Sequence, residues 1–228
     1  MEEVMRSIST SDLLGRQLND VEIKYVPEIL YVEGPLQIPL PCPRVSVVGS
    51  RKASSKGIET AKFISKTLTK KRVLIVSGLA EGIDTAAHET AIQSGGNTVA
   101  VLGTPLDKTY PRKNLSLQQK IMSEHLAISQ FQLGHITKPK DFVIRNRTMA
   151  LISDATVIVE AGDKSGSLHQ GWEALRLGRP LYIWHDILDA PGLEWPEKML
   201  RYGAIPLSDP QEVFEILPSS LKVPLVFQ

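Results

Sequence analysis
The sequence predicts an α/β fold: a doubly wound, mainly parallel, Rossmann-like sheet with a short N-terminal extension. Three observations predict it. Short apolar runs recur along the chain: VSVVGS, VLIVSG, TVAVLG, LAISQF, TVIVEAG and PLYIW. Stretches with apolar residues at helical spacing separate them. Most of the short runs are continuously apolar rather than alternating, which marks strands covered by helices on both faces. Right-handed crossovers between such strands wind the sheet in both directions.

The elements follow in order. The first residues are polar, and STSDLLGRQLND holds a short helix capped by Ser or Asp. EIKYVPEILYVEG reads as extended segments interrupted by Pro27. PLQIPLPCP is too rich in proline for a central strand or a helix interior, and reads as a linker. The expected division is therefore an extension and linker over 1–43 and a Rossmann-like domain over 44–228, with the residues before Pro35 packed on the sheet. From Arg44 the first strand leads to SKGIETAKFISKTLTKK, where Ile58, Ala61, Phe63-Ile64 and Leu68 recur at helical spacing. The second strand leads to GIDTAAHETAIQSGG, the third to NLSLQQKIMSEH and the fourth to VIRNRTMALISDA. After the fifth comes LHQGWEALRLG, and after the sixth WPEKMLRYGA and DPQEVFEIL. No internal repeat or low-complexity segment interrupts the series.

Composition narrows the function classes. The chain has 228 residues, of which 42% are hydrophobic, enough for one large domain with a small appendage. A net charge of +1 means that any basic surface is local. Cys42, the sole cysteine, excludes an internal disulfide framework and fits a reducing compartment. MEEVMRSIST is acidic and polar where a signal peptide is basic and then apolar. No apolar run approaches the ~20 residues of a membrane span. A soluble, cytoplasmic protein with no membrane partner is expected.

Ligands of such sheets bind outside the carboxyl ends of the strands. Here those ends are GSRKAS, SGLAEG, GTPLDKTYPRKN, the SQF…PKDFVIRNR region and EAGDKSGS. The dinucleotide fingerprint needs glycine where Arg51 and Ser54 stand, and the P-loop pattern is absent, so no nucleotide cofactor is expected. The small residues Ser77, Gly78 and Ala80 let backbone N–H groups approach a phosphate, with the helix beginning near Gly82 aimed at the same place. A tight strand-to-helix turn explains the same residues equally well. Arg51 follows the first strand after Gly49 and Ser50. Arg145 and Arg147 open a helix around Asn146, where two such arginines also read as ordinary solvated helix charges. Phe142 just ahead is equally a stacking surface or a core residue, and Ser165, Gly166 and Ser167 form a second small-residue turn. Guanidinium forks bind phosphate oxygens bidentately, and aromatic rings stack on bases.

A catalytic or metal centre is not expected. Asp84 and His88 lie four apart with Ser77 nearby, but SGLAEG is not the nucleophile pattern G-x-S-x-G. Asp84 is expected to support the turn and His88 to sit half-buried. The other histidines lack paired-ligand spacing. Glu160 ends a strand near the phosphate turns, but one carboxylate is not a mechanism.

VSVVGSRKAS, VSGLAEGIDTAAHETAIQSGGNTVAVLGTPLDKTYPRKN, FVIRNRTMALIS, VIVEAGDKSGSLHQGWEALRLGRP and a late YGA occur in this order. Together they resemble the DNA-processing protein A family (DprA, also called Smf), over about residues 25–215. The resemblance implies a non-enzymatic, homodimeric protein that binds single-stranded DNA and helps load the RecA recombinase during natural transformation. It implicates Gly49, Ser50, Arg51, Ser77, Gly78, Phe142, Arg145, Asn146, Arg147, Ser165, Gly166 and Ser167, with Lys138 or Lys140 as the basic residue before the phenylalanine. The family's N-terminal helical and C-terminal winged-helix-like domains are not expected here, and Gln170 stands where members often carry threonine. Trp172, Leu175, Tyr182 and Trp184 offer apolar surface for a dimer or equally for the core. The competing reading is a free-nucleotide sensor, or a hydrolase like the phosphoribohydrolases of the wider superfamily. Their P-G-G-x-G-T-x-x-E pattern ends in a glutamate where this chain has Gln170, and a neutral amide cannot supply acid–base chemistry.

Overall fold
The computed structural model describes residues 6–217; the last part of the expected 44–228 domain, residues 218–228, lies outside the described residues. Strand β1 (Ser7–Ile8), helices α1 (Thr10–Leu14) and α2 (Asp20–Ile23) and strand β2 (Leu30–Glu33) come first. Then follow β3 (Arg44–Val48), α3 (Ser55–Lys70), β4 (Leu74–Ser77), α4 (Ile83–Gln93), β5 (Thr98–Leu102), α5 (Leu115–Glu124) and β6 (Leu126–Ser129). The chain continues through α6 (Pro139–Ile152), β7 (Ala155–Ile158), α7 (Ser167–Arg176), β8 (Leu181–Trp184), α8 (His185–Leu188), α9 (Trp195–Arg201) and β9 (Ile205–Leu207). Two 3₁₀ turns lie at Arg112–Asn114 and Pro210–Glu215.

The strands form one sheet in the order β1-β2-β6-β5-β4-β3-β7-β8-β9. Every pair from β6 to β9 is parallel, with Ser46 opposite Val76 on one side and Thr156 on the other. The predicted mainly parallel, doubly wound architecture is therefore what the chain adopts. The chain starts in the middle at β3, runs outward to β6, then returns to β7 and runs outward to β9. Strand order reverses between β3 and β7, which opens a crevice at their carboxyl ends.

The ends of the sheet were not foreseen. Residues ahead of the linker enter the sheet itself: β2 pairs antiparallel with β6, Tyr31 opposite Ser129, and β1 pairs with β2. The short β9 carries Pro206, tolerated because it is an edge strand with a partner only on the β8 side. DPQEVFEIL forms a 3₁₀ turn rather than an α-helix.

Local chemistry explains the boundaries. Ser9 caps α1 by accepting from the Asp12 N–H at 3.1 Å. Ser54 caps α3 by accepting from Gly57 N–H at 3.0 Å, and Ala61, Ile64 and Leu68 form its buried stripe. Helix α6 begins four residues before its expected start, with Pro139 in its first turn, where its missing N–H costs nothing. The Asp141 carboxylate accepts from the Lys138 N–H at 2.7 Å and from His135 Nε2 at 2.7 Å, closing that turn. One apolar layer lies under α3 and α4, and the other under α6, α7 and α9, with Met149, Ile152, Ala174 and Met199 buried in it.

Candidate functional site
A cavity of about 960 Å³ opens at the carboxyl ends of the central strands. The loops after β3, β4, β5 and β7 and the first half of α6 surround it. Six cationic side chains line it: Arg51, Lys52, Lys108, Lys138, Arg145 and Lys164. Among the described residues Asp84 is its single acidic lining residue. A chain of net charge +1 thus concentrates positive charge at one place. Its volume is at the upper end of ordinary ligand pockets.

The floor is a buried charge network. Arg145 is only 4% exposed and sits in the interior of α6, not at a helix opening. Its Nη1 donates to the Val101 carbonyl at 2.6 Å and to the Gly78 carbonyl, and its Nε donates to Asn146 Oδ1 at 3.0 Å. Asp84 accepts from the Gly78 N–H at 3.1 Å and from the Ala80 N–H at 3.4 Å. Burial lowers the Arg145 pKa to about 10, against the favourable field of Asp84. Burial raises the Asp84 pKa, against Arg145 and the two N–H donors.

The small residues after β4 are now accounted for. A Cβ on Gly78 would overlap the Arg145 guanidinium, so the space left by glycine is filled by arginine. The Gly78 N–H, offered to a phosphate by the sequence reading, is held by Asp84 instead. Ser77 is fully buried and donates to the Val47 carbonyl at 2.7 Å. Neither Ser77 nor Gly78 lines the cavity, although Ala80 does. Asn114 reinforces this turn by donating to the Leu79 carbonyl at 2.9 Å and to Thr85 Oγ1 at 3.0 Å.

The cavity wall carries the groups that remain open. Arg51 is exposed, pairs with no carboxylate among the described residues, and lies 5.4 Å from the centroid of the Phe142 ring. Phe142 falls inside the first turn of α6 and meets Tyr110 at 5.1 Å. A Cβ on Gly103 would collide with Phe142, so that glycine leaves room for the ring. Gly49 and Ser50 line the wall beside Arg51. Lys138 also lines it and Lys140 does not, which separates the two lysines that spacing left equivalent. Ser165, Gly166 and Ser167 form the opposite wall at the start of α7, where the two serine hydroxyls lie 2.7 Å apart. The Gly166 and Ser167 N–H groups find no acceptor among the described residues, as expected for a helix N-terminus open to a ligand. Asn146 lines the cavity while donating to the Gly166 carbonyl at 3.0 Å.

Arg147 does not join them. It follows Asn146 on the outer face of α6, where Nε pairs with Glu173 at 3.1 Å. Tyr110, Thr104, Lys164 and His169 line the cavity but were not singled out in advance. Their strand-end loops were the available signal; their individual directions were not.

The groups that suggested catalysis are committed elsewhere. His88 is fully buried rather than half-buried, with Nδ1 2.6 Å from Thr98 Oγ1, and burial pushes it down to about 3. It makes no triad with Ser77 and Asp84, whose bonds are given above. The Glu160 carboxylate accepts from Ser54 N–H at 2.9 Å at the start of α3. Gln170 is fully buried; with the amide turned so that its nitrogen donates to the Asn146 carbonyl at 2.5 Å, its oxygen accepts from the Ala150 N–H at 3.1 Å. It thus pins α7 to α6. In the opposite orientation the nitrogen reaches Ser46 Oγ at 3.4 Å and Thr156 Oγ1 at 3.3 Å. Among the described residues no cluster of three or more His, Cys, Asp or Glu suits a metal, and no helix is long and apolar enough to cross a membrane.

The model of the DNA recombination-mediator protein A family matches residues 11–218. The chain belongs to that family. The DNA processing protein DprA of Streptococcus pneumoniae is 41% identical over 169 residues, covering 74% of this chain and 59% of that protein. DprA of Bacillus subtilis is 30% identical over 194 residues, covering 84% of this chain and 65% of that protein. The chain therefore spans about three-fifths of the length of these curated relatives. The solved structure of DprA from S. pneumoniae superposes with a TM-score of 0.77 at 30% identity, over 95% of this chain and 75% of that one. DNA processing protein A from Helicobacter pylori, which has a single-stranded DNA binding mode, superposes at 0.74 with 24% identity, over 94% and 97% of the two chains. In an open parallel sheet such as this one, the crevice at the β3–β7 reversal is where ligands bind.

Proposed function
We propose that this DprA family member binds single-stranded DNA without sequence preference through the cavity at the strand ends. The observation that carries this reading is the lining of six cations against one carboxylate, with Phe142 and Tyr110 beside it. Arg51, the hydroxyls of Ser165 and Ser167 and the open N–H groups of α7 hold phosphate. Phosphates carry no sequence information, and stacking on an aromatic ring tolerates every base. The single-stranded DNA binding of the H. pylori relative supports the same reading.

The protein acts by binding rather than by catalysis. Hydrolysis of a free nucleotide would need an acid or base, and Gln170 is a buried amide bonded to α6. Residues 44–228 carry the binding function, the described part of the 1–43 extension adds β1 and β2 to the sheet edge, and the protein works in the cytoplasm as a homodimer alongside a RecA-type recombinase.

Arg51→Ala tests the cavity. The variant is expected to stay folded, because Arg51 is exposed and pairs with no carboxylate among the described residues, and its one ring contact, to Phe142, is itself at the cavity wall. Binding to all single-stranded sequences should weaken alike, by about 1–3 kcal/mol, as for loss of a charged hydrogen-bond partner. The slope of log affinity against log salt should fall by roughly 0.7, one single-strand counterion. Equilibrium titration of mixed-sequence oligonucleotides at several salt concentrations measures both. Unchanged affinity in a folded variant would reject the cavity as the DNA site. Release of free base from nucleoside monophosphates would reject the non-catalytic reading.

A further inference from the structure
Arg147 and Lys140, the two expected DNA-binding cations that do not line the cavity, share one face of α6. Lys140, Val143, Ile144 and Arg147 recur at helical spacing and are all at least partly exposed. Helix α7 packs alongside and presents His169, Trp172, Glu173 and Arg176 at the same spacing. Val143 and His169 line the cavity, so both faces begin at its rim. From there the α7 face runs about two helical turns, roughly 10 Å, to Arg176, and the α6 face about one turn, roughly 6 Å, from Val143 to Arg147.

The far end of this ledge is organised around Tyr25. The Arg176 guanidinium carbon lies 3.7 Å from the Tyr25 ring centroid and that of Arg147 lies 5.9 Å away. Glu173 holds the pair together, bonded to Arg147 Nε at 3.1 Å and to Arg176 Nε at 2.7 Å. The terminal nitrogens of Arg147 have no partner among the described residues, and its side chain is 44% exposed. Trp172 is 37% exposed and Tyr25 45%, and Tyr202 meets Trp172 edge-on at 5.4 Å. Arg147 and Arg176 share one carboxylate, Glu173, while Lys140 lies beside the buried Asp141 at the near end. A row of excess cations with aromatic rings at intervals is the chemistry that tracks a single strand.

We propose that the α6–α7 ledge is a second segment of the DNA path, over which a strand leaving the cavity runs from His169 past Trp172 and Arg147 to Tyr25. This rests on the cavity being the primary DNA site. Arg147 takes a phosphate through its free terminal nitrogens while Glu173 keeps the guanidinium in place, Trp172 offers its exposed ring to bases, and Tyr25, stacked under Arg176, marks the end of the ledge. The ledge adds affinity only for strands long enough to leave the cavity.

The test compares oligothymidylates of about four and about sixteen nucleotides, the two ends of the usual range for single-strand sites. It uses the wild-type chain, Arg51→Ala, Arg147→Glu and Trp172→Ala, each with its melting temperature recorded. Arg147→Glu and Trp172→Ala should bind the short strand as the wild type does and lose roughly tenfold on the long one. Trp172→Phe should recover most of the Trp172→Ala loss. Equal affinities at the long length, or equal losses at both lengths, would overturn the ledge. Dissociation of a dimer by Trp172→Ala with unchanged long-strand affinity would also overturn it and give the face to a second copy of the chain. Arg51→Ala separates the two readings: if it leaves short-strand binding intact the cavity reading fails, whatever the ledge variants do.

Discussion
Arg145→Ala should destabilise the folded chain by about 3–5 kcal/mol, the range for removing one partner from a buried charge network. The substitution leaves the carbonyls of Gly78 and Val101 without their donor and opens a hole beneath the cavity. It also leaves Asp84, 4% exposed, without its nearby positive charge. Its two N–H donors and the field of Arg51 remain, so Asp84 is not stripped bare, but the largest favourable charge that offset its burial is gone. Arg145→Lys should recover only part of the loss, because an ammonium cannot reproduce the fork that joins two strand ends to Asn146. Urea denaturation of both variants gives the answer. A loss under about 1 kcal/mol for Arg145→Ala would show that the clamp described here does not hold the loops. A folded, stable Arg145→Ala that bound DNA poorly would return Arg145 to the ligand-contacting role expected of it from the sequence.

Acid should unfold this protein early, and His88 should be a main cause. Its pKa is pushed from 6.5 to about 3 by burial, with the positive fields of Arg145 and His125 adding to the effect. The folded state therefore holds this ring neutral, whereas the unfolded chain takes up a proton below about pH 6.5. The stability due to His88 is present in full above that value and is lost as pH falls from about 6.5 towards about 3. Within the window the loss is about 1.4 kcal/mol per pH unit, reaching on the order of 4 kcal/mol in total. His88→Gln removes the titrating group. The variant should be less stable than the wild type at neutral pH, because the ring fills buried space and meets Thr98. The difference should shrink with acidification, with a stability slope shallower by about one proton. Parallel pH profiles for the two proteins between about pH 6.5 and 4.5 would contradict the assignment.

The correspondence between sequence and structure is closest where local rules act alone. Continuous apolar runs marked six parallel strands, because a strand buried on both faces needs no polar alternation. The Ser and Asp residues of STSDLLG announced the first helix start because a cap acts within three residues of itself. The strand-end loops identified the cavity's location, because a parallel sheet puts every βα loop on the same edge. Arg51, Phe142 and the Ser165–Ser167 turn lie on the cavity for that reason.

Tertiary structure decided the direction in which each side chain points. In the sequence Arg145 and Arg147 are equivalent, two cations around one asparagine. On a helix they point about 200° apart, so one enters the floor of the cavity and the other reaches Tyr25 on the outside. Gly78 reads equally as a phosphate turn or a tight turn until Arg145, sixty-seven positions later, is seen to fill its space. The hydrogen bonds that committed Ser77, Asp84, Glu160 and Gln170 to structural roles include partners as much as 106 residues away along the chain. Residues 6–33 joined the sheet because β6 offered an unpaired edge, a vacancy that no pattern inside those residues encodes. The sequence by itself determined the sheet, its helices and the edge where a ligand binds, since these depend on periodicity and short-range capping. Which of the basic and small residues remain free to meet that ligand was decided only by packing, because each buried polar group must first find a partner within the protein.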